Sequence, residues 1–312
     1  GCHLTFLGKP PSPKILVAAF AEVRPRLIFF VPLILEKLYK KKILPKLESP
    51  ALKVALKIPG VRDLIYKKFR NTLVETFGGN FLEVVVGGAA LNSEVEKFLR
   101  DIGFPMTVGY GLTECGPLVS YAPWKETRFK SVGRTMSYCE VTIDSPDPSS
   151  VVGEILVRGE TVMLGYYKNE SSTLEALDEE GWLHTGDLGI VDERGFIYIK
   201  GRSKNLIVGP TGQNIYPEEI ESKLDVLPLV AESLVIREGG KLAALIYPDL
   251  DAADTAKPPD QSLEEFLSQT MEKNRIALND NLPDFARIRE VKLHAEPFDK
   301  TPTRKIKRFL YS

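Results

Sequence analysis

Two short apolar runs constrain this chain more than any other feature. Glu83-Val-Val-Val86 ends in Gly87-Gly88-Ala89-Ala90, and a second run from Met106 to Gly109 leads into Tyr110-Gly-Leu-Thr-Glu114. Between them Ser93-Glu-Val-Glu96 reads as a capping box that opens a helix to about Asp101. A strand, a short helix and a second strand make a crossover, and a crossover implies parallel neighbours. Both small-residue loops then fall at the same end of one sheet, the carboxyl end, where open α/β sheets bind ligands. The second loop offers an aromatic face (Tyr110), a hydroxyl (Thr113) and a carboxylate (Glu114) within five positions. Such groups can stack on a base, bond a phosphate and hold a hard divalent cation. The glycines and alanines of the first loop let a flat base approach the backbone. The alternative is a pair of ordinary turns with a buried Tyr and a solvated Glu.

The rest of the composition narrows the function classes. With 312 residues the chain has room for about two domains. A net charge of −1 gives no global case for nucleic-acid binding. Cys2, Cys115 and Cys139 are odd in number and scattered, which argues for a reducing, cytoplasmic setting rather than a disulfide framework. His3, His184 and His294 lie far apart; no zinc spacing and no Ser/His/Asp arrangement is formed. The apolar runs fall short of the ~20 residues that a membrane-spanning helix needs. The opening Gly1-Cys2-His3 has neither an initiator methionine nor a signal-peptide pattern and reads like the interior of a longer protein.

Taken in order, Ser12-Pro13 caps a helix that Arg24-Pro25 ends; Arg26 to Val31 is a buried strand; Pro32 starts a helix through Lys40. Residues 36–75 carry many Lys and Arg at helical spacing. That pattern reads as a solvated face, with contact to an anionic surface as the alternative. From Ser131 to about Lys200 the pattern becomes short strands: Glu140 to Ile143, Gly153 to Arg158, Gly189 to Asp192 and Gly195 to Lys200. These predict a small antiparallel barrel or sandwich. Inside it lies His184-Thr-Gly-Asp187. Asp187 is either an Asx turn or a grip on vicinal ribose hydroxyls. Gly201 to Pro217 reads as a polar linker. A helix from Pro217, strands at Ala231 to Ile236 and Lys241 to Tyr247, a polar loop over 249–261, a capped helix from Ser262 to about Asn281 and a strand at Arg289 to Leu293 complete the chain. The basic tail around Lys305 reads as solvated, or as the source of one mobile point charge for a phosphate. The expected architecture is α/β: a partial large domain over 1–203 (a parallel α/β layer to 125, a barrel-like part from 126), then a small α+β domain over 204–312.

Six stretches in fixed order resemble the adenylate-forming superfamily, and within it the long-chain acyl-CoA synthetases. They are Tyr110-Gly-Leu-Thr-Glu114, Gly153 to Gly159 through Gly165-Tyr-Tyr167, Gly181 to Asp187, Gly201-Arg-Ser-Lys-Asn205, Gly212 to Glu221, and Pro302-Thr-Arg-Lys305. The resemblance implies a two-step ligase that uses ATP, a fatty acid and coenzyme A, with Mg2+. It also implies roles. Gly88, Ala89 and Ala90 would line the adenine, with Ile199 near it; Tyr110 would stack on the base beside Gly111. Thr113 would bond the α-phosphate, Glu114 would hold magnesium, and Asp187 and Arg202 would bind the ribose. Lys204 matches the hinge, Gly212 the loop that approaches coenzyme A, and Lys305 the mobile catalytic lysine. Two departures stand out. Arg304 replaces the glycine before that lysine, so Lys307 remains a second candidate. The Ser/Thr/Gly-rich lysine loop that cradles pyrophosphate in the family is not found in the sequence. The expectation is a carboxy-terminal portion of a synthetase, inactive alone. Other adenylate-forming ligases (aryl-CoA, acyl-carrier-protein or peptide-synthetase types) and a non-catalytic nucleotide-binding module are the alternatives, and peripheral membrane contact is left open.

Overall fold

The computed structural model describes residues 1, 3–5, 13–301 and 305–311, with the side chains of Pro13 and Lys14 excepted. The expected cap at Ser12 and the Pro302-Thr-Arg304 part of the tail motif lie outside the described residues. The chain divides into two compact units: Gly1–Thr142, Leu156–His184 and Val191–Tyr198 form the first, and Ile143–Ile155, Thr185–Ile190 and Ile199–Ser312 the second. No helix among the described residues is long and apolar enough to cross a membrane.

The first unit begins with α1 (Pro13–Val23), β1 (Leu27–Phe30) and α2 (Pro32–Leu38). The expected helix through Lys40 instead changes to a π turn over Tyr39–Ile43, in which Leu44 N–H returns to Tyr39 O. Pro45 lies just beyond and has no N–H to return to Lys41, so the regular ladder cannot continue there. Three more helices follow, α3 (Leu44–Leu47), α4 (Pro50–Ala55) and α5 (Val61–Thr76). The predicted crossover is then found: β2 (Glu83–Val86), α6 (Ser93–Asp101) and β3 (Met106–Val108). These make a parallel sheet in the order β1-β2-β3, with Val84 opposite Met106 and Val86 opposite Val108. Val84, Val86, Phe104 and Met106 are buried. The rings of Phe20, Phe30 and Phe77 meet edge to face behind this sheet. The cap of α6 is one residue earlier than expected. Asn92, not Ser93, accepts from the N–H groups of Glu94 and Val95, because its amide oxygen reaches both first-turn donors.

The short-strand region does not close. β4 (Ser120–Tyr121) pairs antiparallel with β5 (Arg134–Thr135). β6 (Cys139–Asp144), β7 (Gly153–Gly159), β8 (Leu183–Val191) and β9 (Ile197–Arg202) form a four-stranded sheet in that order, with α7 (Glu170–Ala176) between β7 and β8 in sequence. The expected barrel is therefore an open sheet among the described residues. β8 is also longer than the predicted Gly189 strand: it takes in His184-Thr-Gly-Asp187, so Asp187 projects from a strand rather than from a turn.

The second unit is a sheet of β12 (Val230–Glu238), β13 (Lys241–Pro248) and β14 (Ile288–Leu293), antiparallel then parallel. Ahead of it, the stretch expected as a plain linker folds into a hairpin of β10 (Ile207–Val208) and β11 (Asn214–Ile215), followed by α8 (Pro217–Leu224). The loop expected over 249–261 contains α9 (Leu250–Ala256), capped by Asp249. The long helix α10 (Leu263–Asn279) has its predicted Ser262 cap. Leu224, Val230, Ala244, Ile246 and Ile288 form a core with the inner faces of α9 and α10.

Candidate functional site

In the first unit the two small-residue loops meet at the carboxyl end of the sheet. Gly87 N–H bonds Phe30 O at 3.0 Å, and Gly109 N–H bonds Val86 O at 2.9 Å. A methyl group built on Gly87 would lie 3.6 Å from Gly109 O, so the loops run side by side. Gly88 takes φ +85. Gly88, Ala89 and Ala90 are exposed there, whereas Tyr110 is buried. Tyr110 exchanges backbone bonds with Ser120 at 3.0 Å in each direction. Gly111 is held against the returning chain so closely that a methyl group would sit 1.8 Å from Pro117 O. A tight turn over Thr113–Cys115 follows, with the Thr113 side chain exposed. Cys115, in the same turn, is fully buried. Burial pushes its thiol up to about 12, so it stays protonated and is no nucleophile at neutral pH.

Glu114 is positioned by a segment that the motif reading assigned no task. Its backbone carbonyl accepts from Met163 N–H at 2.8 Å, and its Oε1 accepts from the Tyr166 hydroxyl at 3.0 Å. Tyr166 is in turn fixed through its own N–H, which donates to Thr173 Oγ1 at 2.9 Å. No cluster of three or more His, Cys, Asp or Glu able to hold a metal occurs among the described residues. A single oriented carboxylate of this kind fits magnesium that arrives with phosphate oxygens, because Mg2+ is commonly held by one or two carboxylates plus substrate phosphates and water.

In the second unit Asp187 and Arg202 come together. Arg202 Nε donates to Asp187 Oδ1 at 2.8 Å, and Arg202 Nη2 donates to Thr185 O at 3.0 Å. Thr185 Oγ1 donates to Ile155 O at 2.7 Å and accepts from Asp187 N–H at 3.0 Å. Glu154 Oε1 accepts from Gly186 N–H at 2.7 Å. The guanidinium fork and the threonine thus fix one face of Asp187, whose side chain is 15% exposed. A carboxylate of this kind can accept from more than one donor, because each of its oxygens has two lone pairs. Ile199 is half-buried in β9, two residues before Gly201.

Lys204 is exposed in a tight turn over Ser203–Asn205, and Gly212 is exposed at φ +87 in the β10–β11 hairpin. Lys305 is exposed on a returning tail segment. That segment is defined by Thr301 N–H to Lys305 O at 2.8 Å, Lys305 N–H to Thr301 Oγ1 at 3.1 Å and Lys307 N–H to Asp299 O at 2.8 Å. The tail is tethered at both sides of Lys305. Lys300 pairs with Glu232, and Arg308 pairs with Glu221 of α8. Glu221 Oε1 also accepts from Val235 N–H at 2.6 Å. Burial pushes the Glu221 carboxyl up to about 7, against the opposing pull of Arg308 and of that N–H. Glu218, one turn away, accepts from Asn205 Nδ2 at 2.6 Å and lies 3.9 Å from Arg308 Nε. Lys300 and Arg308 of the basic tail, read as solvated from composition, are therefore held by acids of this unit.

Within each unit the structure brings together part of the predicted set. The loops of Gly88–Ala90 and Tyr110–Glu114 share one sheet end, and Asp187 and Arg202 share one ion pair. The sequence reading passed over Tyr166, Thr185, Glu221 and Arg308 as site supports. Tyr166 sat inside a matched stretch, and Arg308 was hidden in a run of similar charges.

Comparison with known proteins then gives a family. The pattern of the family described as AMP-binding enzyme matches residues 1–167. The long-chain-fatty-acid–CoA ligase FadD15 of Mycobacterium bovis is 32% identical over 262 residues, which is 78% of this chain and 42% of that protein. The long-chain-fatty-acid–CoA ligase ACSBG2 of Gallus gallus is 31% identical over 268 residues, 77% of this chain and 34% of that protein. The chain thus spans less than half the length of these curated relatives. Among solved structures, ATP-bound MatB from Rhodopseudomonas palustris superposes with a TM-score of 0.69 at 24% identity, covering 98% of this chain and 53% of that one. The o-succinylbenzoate CoA synthetase of Bacillus subtilis, in complex with its acyl-adenylate intermediate, superposes with a TM-score of 0.68 at 23% identity, covering 96% of this chain and 54% of that one.

Proposed function

Because the chain belongs to the AMP-binding enzyme family, we propose that it supplies the adenylate-handling part of a long-chain fatty acid–CoA ligase. In the first step the fatty-acid carboxylate attacks the α-phosphorus of ATP; a P–O bond forms and the bond to pyrophosphate breaks. In the second the sulfur of coenzyme A attacks the acyl carbon, the C–O bond to AMP breaks, and the thiol proton goes to solvent. The observation that carries this reading is the oriented loop Tyr110–Glu114, set beside Gly88–Ala90 at the carboxyl end of a parallel sheet. The choice of long-chain acids is supported by the names of the relatives at about 30% identity.

The residues take these roles. Gly88, Ala89 and Ala90 offer an open backbone shelf for the adenine, with Tyr110 and Gly111 forming its other wall. Asp187, steadied by Arg202, accepts from the ribose diol, and Ile199 lies near the base. Thr113 donates its hydroxyl to the α-phosphate. Glu114, oriented by Tyr166, would hold a magnesium ion, which would supply positive charge to the phosphate oxygens. Lys305 adds a second cation where charge develops in the transition state, since positioned charges rather than covalent help carry phosphoryl chemistry of this type. Lys204 serves as the hinge between a large domain to 203 and a small one from 204, and Gly212 lies on the loop that meets coenzyme A.

The test separates the two half-reactions in a catalytically competent protein carrying this chain. Lys305→Ala is expected to slow acyl-adenylate formation by on the order of a hundredfold or more, the scale of losing one transition-state charge contact. Thioester formation from supplied acyl-adenylate should change little. Equal losses in both half-reactions would sink the assigned role, and a loss seen only with Lys307→Ala would move it by two residues.

A further inference from the structure

The helical stretch of residues 41–68 carries a pattern that the ligation chemistry does not use. Eight Lys and Arg residues lie in this stretch, all exposed, against two acids, Glu48 and Asp63. One of those acids, Asp63, is partly answered by its neighbour Arg62 at 3.5 Å. At the centre of this basic field, where α4 turns into α5, every residue from 57 to 64 is exposed. Three of them are large and apolar: Ile58 at 49% exposure, Val61 at 37% and Leu64 at 69%, with Val54 at 63% just before the turn. Val61 and Leu64 are three apart on α5, and Lys68 continues the same stripe. The opposite stripe of α5 is anchored: Tyr66 and Phe69 set their rings edge-on against Phe98. The apolar tip is therefore the outward side of a helix already fixed to its unit.

An exposed apolar cluster ringed by cations marks an interaction surface. The pairing of the two properties selects its partner. Nucleic acid would satisfy the lysines and leave Ile58 and Leu64 in water, since such sites stack bases on aromatic rings rather than on aliphatic tips. A membrane interface satisfies both, with aliphatic side chains in the headgroup–acyl boundary and lysines among lipid phosphates. We propose that the α4–α5 tip docks on the surface of an anionic phospholipid bilayer, with Ile58, Val61 and Leu64 entering the boundary. This inference stands independently of the function proposed above.

The test is co-sedimentation of the purified chain with phosphatidylserine–phosphatidylcholine vesicles and with pure phosphatidylcholine vesicles. Binding is expected to the mixed vesicles and to weaken as salt rises. The pair Lys53→Glu, Lys57→Glu should lower the partition coefficient by about tenfold or more. The pair Ile58→Ser, Leu64→Ser should also lower it severalfold, while leaving the charge unchanged. All four positions are exposed, so circular dichroism should show an unaltered fold. No binding of the unmodified chain to the mixed vesicles would overturn the proposal. So would an effect of the lysine pair without any effect of the apolar pair, and if duplex RNA then bound as tightly as vesicles, the surface would be a nucleic-acid site.

Discussion

Gly111→Ala tests the local geometry of the candidate loop. Position 111 is pressed against the returning chain: an added methyl group would lie 1.8 Å from Pro117 O, 2.8 Å from Pro117 C and 2.9 Å from Leu118 Cα. All three are backbone atoms, so no rotamer change relieves the overlap. Ordinary carbon contacts begin near ~3.5 Å, and the segments must therefore part by about 1.5 Å or more. The bonds that hold them together are Tyr110 N–H to Ser120 O at 3.0 Å, Val119 N–H to Tyr110 O at 2.9 Å and Ser120 N–H to Tyr110 O at 3.0 Å. At about 1 kcal/mol net each, their loss or distortion costs on the order of 3 kcal/mol, at the top of the range for overpacking. Gly88→Ala is the matched control. Its position is open, with nothing within 4 Å, but φ is +85, so the cost is the left-handed strain alone, about 1–2 kcal/mol. Urea unfolding gives both differences, and amide exchange at Tyr110 and Ser120 reports whether the loop has moved. The reasoning is refuted if Gly111→Ala costs less than Gly88→Ala, or if it leaves the Tyr110 and Ser120 amides as protected as before.

Three further outcomes follow from the same structure. Burial pushes the buried Glu221 carboxyl up from its usual 4.5 to about 7, so the folded chain binds this proton more tightly than the unfolded chain. Its stabilising contribution is full below about pH 4.5 and is lost as pH rises through 7, by up to about 3 kcal/mol. Glu221→Gln, which cannot titrate, should show a flatter fall in stability across that window, and parallel curves for the two proteins would contradict the assignment. Tyr166→Phe removes the hydroxyl that orients Glu114 and should weaken apparent magnesium affinity in adenylate formation by about fivefold, equal to about 1 kcal/mol for one part-exposed charged hydrogen bond. An unchanged magnesium titration would mean that Glu114 needs no such support. The Lys305→Ala comparison of half-reactions completes the set.

The parallel crossover was legible because its signals are local: two β-branched or apolar runs, small residues after each, and an acid-rich helix start between them. The cap was misplaced by one residue because Asn92 and Ser93 are both good caps and only the geometry shows which oxygen reaches two donors. The short strands of the barrel-like region were legible too, but their closure was not, for a different reason. Strand spacing reports that strands exist, whereas closure depends on edge pairing between distant segments, which periodicity does not encode. Asp187 illustrates the limit at the site itself. Its importance followed from the resemblance, but the ion pair with Arg202 lies fifteen positions away in sequence and emerges only when β8 and β9 are placed. Tyr166 and Arg308 were missed because their tasks are long-range: 52 positions separate Tyr166 from Glu114, and 87 separate Arg308 from Glu221. Composition read the tail as solvent-facing, and the two acids that hold it were invisible to any local window.

The central claim is that these residues handle an acyl-adenylate, and titration calorimetry with a non-hydrolysable acyl-adenylate analogue tests it most directly. The unmodified chain should bind the analogue, and Asp187→Ala should weaken binding by about tenfold or more, the scale of losing charge-assisted bonds to a ribose diol. Absence of binding by the folded chain, or an affinity that Asp187→Ala leaves unchanged, would contradict the account.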